Sequence, residues 1–392
     1  MSGSTRSYEM ARRLVAKGHD VTIITSWRKD DGRKGWFATK EAGINVYWLP
    51  VPYSNHMSYS KRINAFIKFA LGASCKAASI TADIVFATST PLTIALPGVY
   101  TSWCKKIPMI FEVRDLWPAI PISMGALRNP LLRLAARRLE QFAYRHSAHI
   151  VALSPGMRTG VNNTGYPLDK ITVIPNCSDL DLFNPINADA SQFRLTHPEL
   201  AEHPLIVYPG TIGIINGVKY LPRIAAEARK LKFDCQFVVV GDGKEKMLVQ
   251  EEARKLGVLH GNFHIYSPVS KTEMANILAA ADLMLSLFID LDVMWANSAN
   301  KFFDALASGT PVGINYQGWQ ADLLEEYGAG IILPANDAQA SARLLSEFIG
   351  NSKRLRQTGL AARKLAEDKF NRDRLADELE QILTQHGCAQ LH

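Results

Sequence analysis

At 392 residues, the chain is long enough for two domains of ordinary size, and its 47% hydrophobic and 21% charged residues are typical of a globular protein. Five scattered cysteines show neither a disulfide framework nor a metal-ligand spacing, which favours reduced thiols in a cytoplasm. No apolar run reaches the roughly 18 residues that a spanning helix needs, and the N-terminus lacks a signal-peptide pattern. These features predict a cytoplasmic protein, peripheral at a membrane if it meets one.

The charge is unevenly distributed along the chain. Residues 1–192 hold 23 Lys and Arg against 13 Asp and Glu, whereas residues 193–392 hold 21 against 24. The basic first half indicates an anionic partner such as nucleic acid, phosphate or lipid headgroups.

Strand-like and helix-like segments alternate through the first half. The predicted strands are Val21–Thr25, Asn45–Leu49, Ile84–Thr88, Met109–Val113, His149–Leu153 and Ile171–Ile174, and the helices are Tyr8–Lys17, Ile63–Ser79, Pro91–Lys105, Pro130–His146 and Gly156–Thr164.

The second half repeats the alternation after a predicted linker, Phe183–His203. Its strands are Leu205–Tyr208, Phe237–Val240, Phe263–Ile265, Leu283–Leu287, Val312–Ile314 and Gly330–Leu333, and its helices are Gly217–Leu231, Lys244–Lys255, Lys271–Ala281, Lys301–Ser308, Trp319–Glu326 and Ala338–Gly350.

Two successive sets of β and α segments predict an α/β protein with two doubly wound, Rossmann-like domains facing a cleft. In this fold class ligands bind beyond the carboxyl ends of the strands. The residues that directly follow strands are therefore the candidates for a functional site.

Arg114 and Asp115 directly follow the strand Met109–Val113 and precede Leu116-Trp117-Pro118. An arginine and an aspartate at a strand's carboxyl end can orient an anion and a hydroxyl. A structural ion pair at the domain edge is the alternative.

Two glycine-rich turns follow successive strands of the second half. The first places Gly210, Thr211 and Gly213 where the backbone can approach a diphosphate, and the second places Gly241 and Gly243 as a floor for a ring or ribose. A tight βα turn without a ligand would use the same residues.

Asn300, Lys301 and Asp304 open a predicted helix, on which Lys301 and Asp304 are i, i+3 neighbours. The cation would add positive potential for a diphosphate, and the carboxylate could bind two ribose hydroxyls. An exposed helix salt bridge is the alternative. Together with the glycine turns, the three residues predict a nucleotide-diphosphate site.

Two basic amphipathic stretches, residues 60–76 and 127–146, lie in the first half. Each fits either a core-facing helix with a solvated back or a helix lying on anionic lipid headgroups. Neither resembles a nucleic-acid-binding module, because the basic residues are not interleaved with exposed aromatics.

A set of motifs in a fixed order resembles family 4 glycosyltransferases of the GT-B fold over nearly the whole chain. They are GHDVTIITS, ATSTPL, FEVRDLWP, IVALSPGM, VIPNCSDLDLF, YPGTIG, VVVGDG, NKFFDALASGTPV and KFNRDRLADELEQIL. FEVRDLWP together with STRSYE resembles a narrower branch, the bacterial L-fucosamine-type transferases of O-antigen and capsule synthesis.

The resemblance implies three parts: an acceptor-side domain at 1–192, a nucleotide-sugar-binding domain at 203–368, and a terminal helix at 369–388 that crosses back to the first domain. It implies sugar transfer with retention from a nucleotide diphosphate donor, without a metal or other cofactor. Gly3 and Arg6 would lie on the phosphate or acceptor side, and Arg114 and Asp115 would be the active-centre pair. Gly210, Thr211, Gly213 and Lys301 would hold the diphosphate, Asp304 would bind the ribose, and Gly241, Gly243 and Val269 would bind the base. Asn300 would be a further donor-binding residue.

The chain departs from the family pattern at several positions. The common Glu-x7-Glu pair is Ala296 and Asp304, and the common Arg and Lys of the diphosphate loop are Thr211 and Asn216. Lys301 is left as the main cation for the diphosphate. A histidine often found after the fourth strand is Arg114.

Family members also begin with a strand before the glycine loop, and this chain begins at the loop itself. A central parallel strand pairs on both sides, so its absence predicts two uncovered sheet edges and a poorly stable first domain. We expect a truncated start or a misplaced initiator methionine.

The function expected from the resemblance is extension of a lipid-linked oligosaccharide at the inner face of the membrane, with a UDP-sugar, for example one resembling UDP-N-acetyl-fucosamine, as donor. The basic stretches 60–76 and 127–146 would contact the membrane, and no nucleic acid would be involved. A UDP-sugar 2-epimerase of the same fold and a non-catalytic anion- or lipid-binding protein are the alternatives.

Overall fold

The structure is a computed structural model that describes residues 6–54, 57–200 and 202–388. Gly3, a predicted phosphate-loop residue, lies outside the described residues. The chain divides into two compact units. The N-terminal unit runs to Pro175 and takes in the chain from Asp373 onward, and the C-terminal unit comprises Asn176–Arg372.

The N-terminal unit alternates strands with helices. Its strands are β1 (Thr22–Trp27), β2 (Phe37–Glu41), β3 (Ile44–Pro50), β4 (Val85–Thr88), β5 (Met109–Val113), β6 (His149–Ala152) and β7 (Ile171–Val173), and its helices are α1 (Arg6–Ala16), α2 (Tyr59–Ala78), α3 (Ala95–Lys105), α4 (Ala119–Ser123), α5 (Pro130–Arg145) and α6 (Pro155–Asn162).

These strands form two sheets. One has the order β1-β3-β2, with β1 parallel and β2 antiparallel to β3, and the other is the parallel sheet β4-β5-β6-β7. In the described part of the chain β1 and β4 each pair on one side, and all six residues of β1 are partly exposed. All five residues of β5 are buried, as expected of a strand paired on both sides. The carboxyl end of β5 leads directly into Arg114 and Asp115.

The C-terminal unit contains one parallel sheet, of order β10-β9-β8-β11-β12-β13. Apolar side chains cover both faces of this sheet. This is the doubly wound topology that the sequence predicts. The strands are β8 (Leu205–Pro209), β9 (Gln236–Val240), β10 (Phe263–Tyr266), β11 (Leu283–Ser286), β12 (Val312–Ile314) and β13 (Gly330–Ile332), and the helices are α7 (Ala190–Thr196), α8 (Tyr220–Lys230), α9 (Lys246–Lys255), α10 (Lys271–Ala280), α11 (Asn300–Ala307), α12 (Trp319–Tyr327), α13 (Ala338–Ile349) and α14 (Ser352–Lys369).

The last helix, α15 (Arg372–Cys388), packs against α1 through ion pairs. Arg13 of α1 binds Asp373 at 2.5 Å, and Lys17, just after α1, binds Asp377 and Glu380. These contacts join the two ends of the described chain within the N-terminal unit. No helix of residues 6–54, 57–200 or 202–388 is both long and apolar enough to span a bilayer.

The structure contains four elements that the sequence patterns do not predict: β2, α4, α7 and α14. The predicted linker Phe183–His203 is wrong in part, because α7 lies within it and is capped by the Asp189 carboxylate, which accepts hydrogen bonds from the Ser191 and Gln192 amides. This Asx cap is a local signal that a search for hydrophobic periodicity does not weigh.

Candidate functional site

The C-terminal unit has its topological switch point between β8 and β11. The strands that follow β8 in sequence are added on one side of this point, and those that follow β11 are added on the other. The turns after β8 and β9 project from the same edge of the sheet, and α11 follows β11. Parallel sheets of this order bind ligands at that edge. The predicted residues Gly210, Thr211, Gly241, Gly243 and Lys301 all lie there.

The two glycine turns are bonded to each other through their backbones. The Gly210 amide donates to the Val240 carbonyl at 2.9 Å, and the Ile212 amide donates to the Asp242 carbonyl at 2.9 Å. A Cβ atom at Gly241 would lie 1.8 Å from the Gly210 carbonyl oxygen, and Gly210 itself has a φ of +121°. Glycine is therefore required by close backbone approach and by a left-handed conformation at these two positions.

Further contacts hold the next residues of the first glycine turn in place. The Tyr208 hydroxyl, buried beneath the turn, donates to the Thr211 carbonyl at 2.9 Å. Gly213 comes directly before a short 3₁₀ turn, Ile214–Asn216, and a Cβ there would lie 3.2 Å from the Asn216 side-chain oxygen. The turn is thus held in one conformation from Tyr208 to Asn216.

Lys301, the second residue of α11, holds an unpaired amine against the first turn. Its Nζ atom is buried without a hydrogen-bond partner and lies 3.8 Å from the centre of the Tyr208 ring. A Cβ atom at Gly210 would be 3.4 Å from that nitrogen. Burial lowers the pKa of Lys301 to about 7. A buried cation without a carboxylate is costly, so an anion bound beside the Lys301 amine would stabilise its charged form.

Asp304 does not form the exposed salt bridge with Lys301 that their spacing allows. Its Oδ1 atom accepts a 2.7 Å hydrogen bond from the Ser178 hydroxyl. Burial raises the pKa of Asp304, while Lys271, the Ser178 hydrogen bond and Arg372 oppose the rise. Lys301 and Asp304 therefore lie one turn apart on α11 but have different surroundings: the amine has no hydrogen-bond partner, and the carboxyl is bonded to Ser178.

The segment before α11 is bonded to Asn176, which sequence reasoning did not single out. The Asn176 amide donates to the Ser298 hydroxyl at 3.1 Å, and its side-chain Nδ2 donates to the Ser298 carbonyl at 2.5 Å. The Asn176 Oδ1 atom is buried without a hydrogen-bond partner. The predicted residue Asn300 begins α11 two residues later, so Asn176 supports the start of that helix.

Val269 lines a cavity of about 340 Å³ in the C-terminal unit. The Tyr266 ring lies at one wall, 4.3 Å from His197 between ring centres, and its hydroxyl donates to Glu199 at 2.7 Å. Val240, at the end of β9, also lines the cavity, whereas Gly241 and Gly243 do not. The Gly241 amide nevertheless donates to the carbonyl of Tyr266, a lining residue, at 3.1 Å, and the shared base-binding role of Val269 and the two glycines stays a prediction.

In the N-terminal unit, Arg6 is a buried structural residue. Its Nε donates to Glu112 Oε1 at 2.8 Å, and its two terminal nitrogens donate to the carbonyls of Pro175 and Ile174 at 2.6 and 2.9 Å. Burial opposes ionisation of Glu112, but the charges of Arg6 and Arg114 and a hydrogen bond from Thr88 hold its pKa below the usual value. Arg6 therefore connects the start of α1 with the ends of β5 and β7, and its acceptor-side role stays a prediction.

Asp115 and Arg114 lie beyond the carboxyl end of β5. The Thr90 hydroxyl donates to Asp115 Oδ2 at 3.0 Å, and the Arg114 amide donates to the Ser89 hydroxyl at 2.9 Å. Burial raises the pKa of Asp115, and the Thr90 hydrogen bond and the Arg114 charge oppose the rise. The arrangement offers a carboxyl and a guanidinium at one strand end, as predicted from their place in the sequence.

Comparison with known proteins assigns each half of the chain to a glycosyltransferase domain. Residues 3–177 match the glycosyl transferase 4-like domain, and residues 191–365 match the glycosyl transferases group 1 domain. The chain is a glycosyltransferase of the GT-B fold. A D-inositol 3-phosphate glycosyltransferase of Xylanimonas cellulosilytica is 25% identical over an alignment of 234 residues that covers 56% of this chain and 52% of the relative. The chain thus matches about half the length of this curated relative.

Solved structures share the fold of this glycosyltransferase at low identity. Sucrose-phosphate synthase from Thermosynechococcus elongatus has a TM-score of 0.76 at 17% identity, covering 99% of this chain and 94% of that one. Anabaena HepE in complex with UDP and glucose has a TM-score of 0.72 at 15% identity, covering 98% of this chain and 97% of that one. WaaG, a glycosyltransferase involved in lipopolysaccharide biosynthesis, has a TM-score of 0.69 at 17% identity, covering 97% of this chain and 95% of that one.

Replacing Gly241 of this glycosyltransferase by alanine is expected to destabilise the C-terminal unit by about 2 kcal/mol or more, because the new Cβ would overlap the Gly210 carbonyl. Chemical denaturation would measure the loss. Gly387→Ala is the matched control, since a Cβ at that helical position meets nothing within 4 Å. We expect the control to be neutral or stabilising by about 0.5–1 kcal/mol. Equal effects of the two substitutions would contradict the packing of the two turns.

Proposed function

We propose that this glycosyltransferase moves a sugar from a UDP-sugar, for example one resembling UDP-N-acetyl-fucosamine, to a lipid-linked oligosaccharide. The product would be a surface polysaccharide such as O-antigen or capsule. The observation that carries the proposal is the buried, unpaired Lys301 amine against the Gly210 turn, at the switch point of the sheet. Similarity in fold to HepE, solved with UDP and glucose, and to WaaG supports the choice of donor and product class.

In the proposed complex the donor diphosphate lies against Lys301 and the turn amides from Gly210 to Gly213. An anion there would give the Lys301 Nζ atom its missing partner and restore its charge, since burial alone lowers its pKa to about 7. We assign the ribose to Asp304, with Asn300 beside the diphosphate, and the base to Val269 and the cavity beside it. Gly241 and Gly243 then serve to bring the second turn against the first.

The reaction breaks the bond between the anomeric carbon and the diphosphate oxygen and forms a bond from that carbon to an acceptor oxygen. The electron pair of the broken bond leaves with UDP, and the acceptor hydroxyl loses its proton, which by the resemblance passes to the departing phosphate. Lys301 would stabilise the charge that develops on UDP, which is the main requirement for catalysis of this type. We propose Arg114 and Asp115 as the active-centre pair, whose guanidinium and carboxyl can orient an anion and a hydroxyl.

We place the reaction at the inner face of the membrane, where a lipid-linked acceptor is presented. Two basic stretches, 60–76 and 127–146, were predicted to contact lipid; helix α2 contains the first, and helix α5 covers residues 130–145 of the second. Attraction to anionic headgroups would hold the protein near its acceptor.

The test is incubation with a panel of UDP-sugars, with and without lipid-linked N-acetylglucosamine, scoring released UDP. We expect one donor to be consumed in an acceptor-dependent way, and EDTA to leave the rate unchanged, because Lys301 and the turn amides are proposed to replace a metal. Conversion of a donor to its 2-epimer without release of UDP would favour the epimerase. Stabilisation by UDP without turnover of any donor would favour a binding protein.

A further inference from the structure

Exposed apolar side chains are concentrated on three helices of the N-terminal unit, α2, α3 and α5. On α2, Ile63, Ile67 and Leu71 recur every four residues along one face, and Leu71 is 66% exposed. Such a stripe is ordinarily turned to the core, because a water-facing apolar stripe has no driving force of its own. Nine of the nineteen large exposed apolar residues in the described part of the chain lie on these three helices.

Helix α3 has a second stripe of exposed apolar side chains. The sequence analysis did not distinguish this helix from an ordinary core helix. Leu96, Tyr100 and Trp103 are spaced by four and three residues, and Trp103 is 57% exposed. The opposite face of α3 is buried and includes Gly98, where a Cβ would lie 2.6 Å from Met109 of β5. The stripe therefore points away from the sheet.

The three helices that carry these side chains are neighbours. α3 packs between α2 and α5. The Trp103 ring meets Phe142 and His146 of α5 at 5.9 and 5.1 Å between ring centres. On α5 itself, Leu131, Leu132 and Leu134 are exposed, with Leu131 at 75%. These nine exposed apolar side chains on three neighbouring helices are called the three-helix face.

The charge of the same helices is almost wholly positive. They carry one carboxylate, Glu140, which accepts a hydrogen bond from Tyr144. The basic residues are Lys61, Arg62, Lys68, Lys76, Lys105, Arg133, Arg137, Arg138 and Arg145. A second copy of this chain would present the same positive face, so charge disfavours self-association through it.

We propose that the three-helix face docks on an anionic bilayer, with the side chains of α3 at its centre and the cations of α2 and α5 around them. The inference rests on the proposed function in that its acceptor is lipid-linked, and it adds an inserting apolar surface to the basic contact proposed there. Apolar side chains with Trp and Tyr among them, bordered by Lys and Arg, are the composition of interfacial helices. The apolar side chains would insert between the lipid headgroups, and the cations would favour anionic over neutral lipid.

Co-sedimentation with vesicles tests the proposal on the full chain. The wild type should bind vesicles of phosphatidylcholine and phosphatidylglycerol in equal parts, bind phosphatidylcholine alone weakly, and be released by salt. Leu71→Ser/Leu96→Ser/Leu134→Ser and Lys68→Glu/Arg138→Glu should each reduce binding at least about tenfold. The matched controls on exposed sites of the C-terminal unit are Met247→Ser/Leu344→Ser/Leu360→Ser and Lys353→Glu/Arg356→Glu, which should bind like the wild type.

Thermal stabilisation by UDP, measured on every variant, verifies the fold and keeps the two proposals apart. In the wild type, normal UDP stabilisation without vesicle binding would overturn the docking face and leave the proposed donor site standing. In the wild type, vesicle binding without UDP stabilisation would overturn the proposed donor site and leave the docking face standing. Equal vesicle binding by test and control variants would overturn the inference, as would a wild-type dimer that the serine substitutions dissociate.

Discussion

Replacing Lys301 by methionine is expected to reduce sugar transfer by about 100- to 1,000-fold and to stabilise the protein against unfolding. The rate is expected to fall because the main cation that we propose for the diphosphate is lost. Stability rises because a buried amine without a partner is replaced by an apolar side chain of similar length that suits its surroundings. Released UDP and chemical denaturation measure the two effects.

The pH dependence of stability gives the substitution a further signature. Lys301 has a folded-state pKa of about 7, below the ordinary 10.5 of the unfolded chain. Between these values the unfolded state binds the proton and the folded state does not, so the free energy of unfolding rises with pH across that window. The advantage of Lys301→Met over the wild type should therefore be largest below about pH 7 and shrink towards pH 10.5.

Lys353→Met, at an exposed position of α14, is the control for loss of a positive charge. It should leave both the rate and the free energy of unfolding close to those of the wild type. A Lys301→Met enzyme with a wild-type rate, or one that is less stable than the wild type near neutral pH, would contradict the role given to the amine.

Replacing Arg6 by methionine is expected to destabilise the N-terminal unit by about 3–5 kcal/mol. The substitution leaves the buried Glu112 carboxylate without its 2.8 Å partner and two carbonyls without their donors. Chemical denaturation followed by tryptophan fluorescence measures the loss. Arg12→Ala on the same helix, whose pair with Glu9 is partly exposed, is the control and should cost about 1 kcal/mol or less.

A double-mutant cycle separates the ion pair from the packing around it. Because Glu112→Gln removes the charge that Arg6→Met leaves unpaired, the double variant should be more stable than the sum of the single losses predicts. Strict additivity of the two losses would show that the pair is not coupled and would contradict a buried ion pair at the end of β5.

Much of the fold follows from local patterns. The strands Met109–Val113 and Val312–Ile314 have the predicted bounds, because continuous apolar runs bordered by turn residues mark buried parallel strands. β2 has three exposed central residues and α14 is rich in charged residues, so hydrophobic periodicity gives little sign of either element. Elements whose stability depends on neighbours are the ones the patterns miss.

The candidate site was predictable in position but not in detail. Strand ends indicated Gly210 and Gly241, because parallel strands bring their carboxyl ends to one edge, and the start of a predicted helix indicated Lys301. The surroundings of Lys301 depend on the Tyr208 ring, and those of Asp304 on the Ser178 hydroxyl, which is distant in sequence. Spacing along one helix left an exposed salt bridge open as an alternative, since it carries no information on such long-range contacts.

The most direct test of the donor site is a calorimetric titration of UDP and UMP into the wild type and Lys301→Met. The wild type should bind UDP about tenfold or more tightly than UMP, because the second phosphate gives the Lys301 amine its partner. In Lys301→Met this preference should disappear while binding of UMP persists. An unchanged preference for UDP in the variant would show that another group holds the diphosphate.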